Sequence, residues 1–199
     1  MFKKIFKLVT PKRLAIALIF IIIVYTGSIG FKQKITVDDN KPFGGSFELI
    51  DHNGSRITDD FLKGSFTLVY FGFTYCTDIC PITLDIIVEA IDSLPNKSKE
   101  KIKVLFVTLD PLRDDSETLG SYLLNYQPFV TGATGSPKEV KDAADKFLVI
   151  YEKIDLGNND YSIGHSGYIY LMDKNGNYID HFNYDISIKE LYKKLNSII

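Results

Sequence analysis

From Thr67 to Phe73 the chain reads TLVYFGF, a β-branched and aromatic run without a charge, suited to a strand buried in the middle of a sheet. Pro81 then opens a stretch whose apolar residues, Ile82, Ile86, Ile87, Ala90, Ile91 and Leu94, recur along one helical face, and proline is tolerated in a first turn. Ile102–Thr108 (IKVLFVT) is a second buried strand, so Thr67–Thr108 predicts a parallel strand–helix–strand unit. Two more helices are predicted, one after Asp114 and one opening at Pro137. Gly167–Met172 and Tyr178–Phe182 flank Asp173-Lys174-Asn175-Gly176 as a hairpin. The chain closes on Ile188, Leu191, Tyr192, Leu195 and Ile199, a helix begun by the capping box Ser187-x-x-Glu190. Upstream, Phe47–Ile50 leads into Asp51-His52-Asn53-Gly54, where Asn-Gly signals a tight turn. The core order β-α-β, helices, β-β-α is that of an α/β thioredoxin-like fold.

The start of the chain has a different pattern. Leu14 to Phe31 (LAIALIFIIIVYTGSIGF) carries no charge, and as a helix it would measure roughly 27 Å, close to one hydrocarbon core. A cleaved export signal would share the basic start and apolar run, but no Ala-x-Ala site follows, and the span length favours an anchor that stays. The expected organisation is a basic cytoplasmic N-terminus (1–13), a single transmembrane helix (14–31), a polar tether with Pro42, Gly44 and Gly45 (32–45), and a folded domain (46–199). Positive charge before the span exceeds that after it, which places the N-terminus inside the cell. The expected location is a bacterial-type inner membrane crossed once, with the soluble domain on the exported, periplasmic side.

Composition narrows the functional classes. The 199 residues are 45% hydrophobic and 24% charged, as in an average folded protein. The first 31 residues hold five cations (Lys3, Lys4, Lys7, Lys12, Arg13) and no acid, which leaves a remainder with 18 basic and 25 acidic residues. That acidic body argues against nucleic-acid binding, which runs on phosphate neutralisation. Neither a Walker sequence nor a paired-glycine fingerprint is present. Lys97, Lys99, Lys101 and Lys103 read as an exposed turn.

The chemistry concentrates in the two cysteines. Cys76-Thr77-Asp78-Ile79-Cys80 lies between the first buried strand and the helix opening at Pro81. Open α/β folds place their sites at such junctions, and a helix N-terminus lowers a thiol's pKa. With three intervening residues the sulfurs share a helical face about 6 Å apart at Cα, close enough for a disulfide and roomy enough for an ion. The pair is therefore a redox couple, a metal clip, or both; as a structural bridge it would close too small a loop to add much stability. Two thiolates suit Cu(I), and an added imidazole makes the set usable by Cu(II). Of the three histidines, His52 belongs to the Asn-Gly turn and is expected to be exposed, and His181 has a packing or surface role. His165, in Ser162-Ile163-Gly164-His165-Ser166-Gly167, would face the cysteines where a thioredoxin carries its cis-proline.

Taken together, FGFTYCTDICPITL (71–84), VTLDPLRDD (107–115) and IGHSGYIYLMDKNG (163–176) resemble the Sco/SenC family of copper chaperones over about 150 residues plus the N-terminal anchor. The resemblance implies a thioredoxin-like fold and one copper ion held by Cys76, Cys80 and His165. It also implies a role in assembling the binuclear copper site of cytochrome c oxidase subunit II, by copper delivery, thiol reduction or both. The chain departs from the family at Thr77, where proline is common, and at Arg113-Asp114-Asp115-Ser116, where Arg-Asp-Thr-Pro is usual. Asp110 and Arg113 either orient this loop beside the site or serve as a turn and a helix cap. The rival functions are a thiol-disulfide oxidoreductase using Cys76 and Cys80 without a physiological metal, and a tethered binding module whose cysteines are incidental.

Overall fold

The computed structural model describes residues 43–199; the basic start, the expected membrane span and the tether up to residue 42 lie outside the described residues. Among the described residues no helix is long and apolar enough to cross a membrane. The described residues form one folded unit. Its strands, in chain order, are β1 (Glu48–Asp51), β2 (Arg56–Thr58), β3 (Phe66–Gly72), β4 (Ile102–Thr108), β5 (Val130–Thr134), β6 (Tyr151–Gly157), β7 (Asp160–His165), β8 (Tyr168–Met172) and β9 (Tyr178–Asn183). Its helices are α1 (Ile79–Asp92), α2 (Asn96–Lys99), α3 (Ser116–Tyr122), α4 (Pro137–Lys146) and α5 (Ile188–Ile198).

Seven strands form one sheet in the order β2-β1-β5-β4-β3-β8-β9. β3 and β4 pair in parallel from Phe66↔Ile102 to Gly72↔Thr108, with α1 as the crossover between them, as the apolar runs require. β8 runs antiparallel to β3, and β9 continues outward from β8. Central position explains the continuous hydrophobic reading of β3: Phe71 meets Phe147 and Tyr170, while Tyr70, on the opposite side of the strand, meets Phe106. α1 packs against α5. The predicted capping box of α5 is present, and α4 has one of its own, with Ser136 and Glu139 bonded reciprocally.

The structure differs from the sequence expectations at four places. β5 is a short VTGAT strand beside β4, between the two predicted helices where the sequence marks no strand, because neighbours on both edges supply what its composition lacks. β6 and β7 form a separate two-stranded hairpin, turned by Asn158 and Asn159, both at positive φ (54° and 61°), as a type I′ turn requires. Lys103 is not in a turn: it lies in β4, with its ammonium on the Lys63 carbonyl (3.1 Å) and over the Phe61 ring. Finally, the last tether residues belong to the domain. The Phe43 ring sits 4.4 Å from that of Tyr178 and 5.1 Å from that of Tyr170, and the Gly44 N–H donates to the Lys146 carbonyl.

Replacing Phe43 with alanine removes three aromatic neighbours at once. It should cost about 2 kcal/mol of stability in denaturant unfolding; a residue on a free tether would leave the midpoint unchanged.

Candidate metal centre

β3 ends at Gly72, and α1 does not begin until Ile79. Cys76 therefore sits outside the helix, its N–H bonded to the Phe73 carbonyl (3.2 Å), and Cys80 is the second helical residue. The expectation that both thiols share a helical face is corrected here, because Asp78 has a non-helical backbone (φ −130°, ψ −82°) that starts the helix late. Asp78 makes no side-chain cap bond; instead the Cys76 sulfur accepts from the Cys80 N–H at 3.3 Å. A sulfur thus takes the place of the usual oxygen at the helix N-terminus, where free N–H groups and the dipole favour negative charge.

Cys80 is fully buried and Cys76 half-buried; both are free thiols. His165, the last residue of β7, brings its Nε2 to 3.7 Å from the Cys80 sulfur, although the two are 85 positions apart in the chain. Its Nδ1 lies 3.1 Å from the Ser166 carbonyl, which can only accept. Nδ1 therefore carries the proton, and Nε2 points its lone pair at the cysteines. The ring is held edge-on by Phe73.

The pair shares its protons unequally. The Cys80 thiol donates to the Cys76 sulfur, and with the N–H groups of Cys80 and Asp78 it outweighs burial and holds Cys76 down at about 5. Donating to that thiolate, burial and the thiolate's charge push Cys80 far up. At neutral pH the pair carries one negative charge, on the more exposed sulfur.

Among the described residues no three His, Cys, Asp or Glu side chains already converge on a metal position. Cys80 and His165 are in contact, while the Cys76 sulfur accepts from the Cys80 N–H at the helix start. The donor chemistry, two soft sulfurs and a neutral imidazole, fits copper. The space around the sulfur is also provided for: a Cβ at Gly72 would stand 2.9 Å from the Cys80 sulfur and 2.8 Å from the Phe106 ring.

Asp110 and Arg113 orient the surroundings. They form an ion pair, and the Tyr161 hydroxyl donates to Asp110 at 2.8 Å. The Arg113 guanidinium lies over the Tyr161 ring (3.7 Å) and the Tyr75 ring (4.5 Å), and donates to the Tyr161 carbonyl. It thereby clamps the neighbour of Cys76 to the strand that ends in His165. The helix cap of α3 is Asp115, which accepts from the Thr118 N–H. Asp114 is fully buried and accepts from the Thr74 N–H (3.0 Å) and the Thr74 and Thr108 hydroxyls, tying the cysteine loop to the end of β4.

Asp114, Tyr161, Tyr75 and Gly72 escaped the sequence reading. For Tyr161 a signal existed, since Asn158-Asn159 between alternating residues marks a hairpin; for Asp114 nothing local separates it from Asp115. The structure places His52 away from exposed turn chemistry: half-buried, its Nδ1 accepts from the Gly132 N–H (3.0 Å). His181 is at the surface, bonded to the Tyr178 hydroxyl.

A sequence model of the SCO1/SenC family matches residues 36–199. The SCO2-like protein of Rickettsia prowazekii is 44% identical over 156 residues, covering 77% of this chain and 76% of its own. Copper-bound ScoI of Bradyrhizobium japonicum superposes with a TM-score of 0.73 at 34% identity, over 79% of this chain and 99% of its own. Copper-bound yeast Sco1 gives a TM-score of 0.73 at 34% identity, over 79% and 88%.

Gly72→Ala forces a methyl into the Cys80 pocket and should cost about 1–3 kcal/mol in denaturant unfolding; an unchanged midpoint would show the pocket to be open. Iodoacetamide should modify Cys76 far faster than Cys80. Followed by mass spectrometry, its rate should hold down to about pH 5, and in Cys80→Ala, which lacks the S–H donor, the midpoint should move up toward the ordinary thiol range.

Proposed function

This chain belongs to the SCO1/SenC family, and from that we propose that it is a membrane-anchored copper chaperone that binds one copper ion through Cys76, Cys80 and His165. It would serve assembly of the binuclear copper site of cytochrome c oxidase, with subunit II as client. The observation that carries this reading is the convergence of His165 Nε2 on the Cys80 sulfur at 3.7 Å, beside a second sulfur already held as thiolate. Copper-bound relatives of the same fold support it. In this reading the segment 14–31 anchors the domain on the exported side of a bacterial inner membrane.

Copper is cargo here, and the site must release it. Three protein donors leave a coordination position open to a donor from the client. Cys76 lies at the more exposed side of the pair, so it is the first sulfur a client can reach. A client disulfide that takes two electrons from the pair, leaving as two thiols while Cys76 and Cys80 join, would remove the two soft donors together and expel the ion.

The Cys76 thiolate also favours a second reading, thiol-disulfide exchange without metal. Its sulfur attacks a client disulfide, forming a mixed disulfide as one client thiolate leaves. Cys80 then loses its proton, attacks the Cys76 sulfur and releases the second client thiolate. The client leaves reduced, and Cys76–Cys80 leaves oxidised.

The deciding experiment adds Cu(II) without oxygen to the reduced full-length chain in mild detergent, and records absorption and bound copper. One copper per chain, with sulfur-to-copper charge-transfer bands that weaken in His165→Ala, is expected. Immediate bleaching would count against the chaperone reading. There two Cu(II) become Cu(I) as the two cysteines form a disulfide, and the oxidoreductase would lead.

A further inference from the structure

The face of the sheet that carries Phe71 and Tyr170 continues outward into a band of exposed side chains. On the outermost strand, β9, Tyr178 and His181 stack, with the Tyr178 hydroxyl 2.6 Å from the His181 Nδ1. The Tyr168 ring meets His181 edge-on, 5.0 Å between centroids. Ile150 is tied to the same place through Ser166: its N–H donates to the Ser166 hydroxyl, and its carbonyl accepts from the Ser166 N–H. Leu148 follows Phe147, whose ring stands 5.8 Å from that of Tyr170. Tyr168, Tyr178, His181, Ile150 and Leu148 are all exposed, Ile150 at 71%. Apolar side chains scattered singly over a surface are ordinary; a connected band of them marks a contact.

Two observations say what covers this band. The first is chemical. Tyrosine joins an apolar ring to a hydroxyl that seeks water, and histidine has the same two-sided character, which suits the boundary between hydrocarbon and headgroups. The second is where the chain arrives from. Phe43, the first described residue, ends in the band, its ring 4.4 Å from that of Tyr178. Only residues 32–42 separate it from the apolar run 14–31, and fully extended they reach at most about 40 Å. A tether that short keeps the band at high effective concentration beside the bilayer, so that even a weak contact is occupied.

We propose that this band is the membrane-facing surface of the domain, with Tyr168, Tyr178, His181 and Ile150 seated among the phospholipid headgroups of the bilayer that segment 14–31 crosses. The inference rests on the anchor reading above and adds a second membrane contact to it. Its consequence concerns the metal site. Cys80 packs under Gly72 on the Tyr70 side of β3, while the band continues the Phe71 side. With the band on the lipid, α1 and its buried sulfur lie on the face turned away from it, held at one height above the membrane for a client.

The chain contains no tryptophan, so a single one introduced by substitution reports alone. Full-length Tyr168→Trp, Tyr178→Trp, Ile150→Trp, Tyr192→Trp and Phe20→Trp are each placed one chain per nanodisc. The discs hold equal parts phosphatidylcholine and phosphatidylglycerol, with or without bromine on the acyl chains near the glycerol. Tyr192 lies on α5, which packs against α1 on the opposite face of the sheet, and Phe20 lies within the apolar run. Bromine should strip emission from Tyr168→Trp, Tyr178→Trp and Ile150→Trp, each blue-shifted relative to Tyr192→Trp, which should stay unquenched. Ile150 is the most exposed of these positions, so a larger ring there disturbs no packing and gives a reading even where the tyrosine variants fail to fold. Unquenched Phe20→Trp would overturn the anchor reading, and this inference along with it. Quenched Phe20→Trp beside unquenched band positions would overturn this inference alone. So would quenching at Tyr192→Trp as well, since the contact would then have no defined face. A blue shift at the band that appears only with two chains per disc would assign the band to a second copy of this chain, and would overturn it too.

Discussion

The end of β3 and the first turn of α1 approach closely at Gly72, which has no side chain and whose Cβ space the Cys80 sulfur fills. Phe106, two positions back on the neighbouring strand β4, closes the same space from the side. This contact sets how far the helix start can sit from the sheet. It also sets where the buried sulfur points. The rest of the site is assembled around that fixed atom: Cys76 by the loop that must span from Gly72 to Ile79, and His165 by the strand that pairs back to Tyr151.

One negative charge organises the chemistry. It rests on Cys76 because two N–H groups of the helix start and the Cys80 thiol all point at that sulfur, and Cys80, with no water around it, keeps its proton. The same asymmetry serves either use of the pair. A metal ion meets one sulfur already deprotonated and displaces one proton to recruit the second. A disulfide client meets a thiolate at the surface and a resolving thiol behind it. The shared requirement explains why a site built for cargo retains the elements of a redox couple.

His165 reaches the cysteines only because the β6–β7 hairpin is strapped down. Arg113 does this through stacking and ion pairing: it lies between the Tyr75 and Tyr161 rings and is itself held by Asp110. Asp114, in the same loop, anchors Thr74 and Thr108 from below. The segment after β4 is thus the part of the chain that touches both halves of the metal site. A change there that leaves all three donors intact would still move their distances.

The sequence by itself determined the local terms. The apolar runs at 67–73 and 102–108 have a period and length that only a buried parallel pair accommodates, and the capping box at Ser187 closes its helix without outside help. Cys76, Cys80 and His165 were legible as donors because their chemistry is intrinsic to the side chains and their neighbours are small or at a helix start. Only the tertiary structure decided what depended on partners distant in the chain. β5 is a strand because β4 and β1 flank it, not because VTGAT prefers to be one. Asp114 is buried and Asp115 caps a helix, although they are adjacent and identical. Spacing fixes contacts within a few residues; contacts between segments that the sheet brings together arise from packing, and no local pattern encodes them.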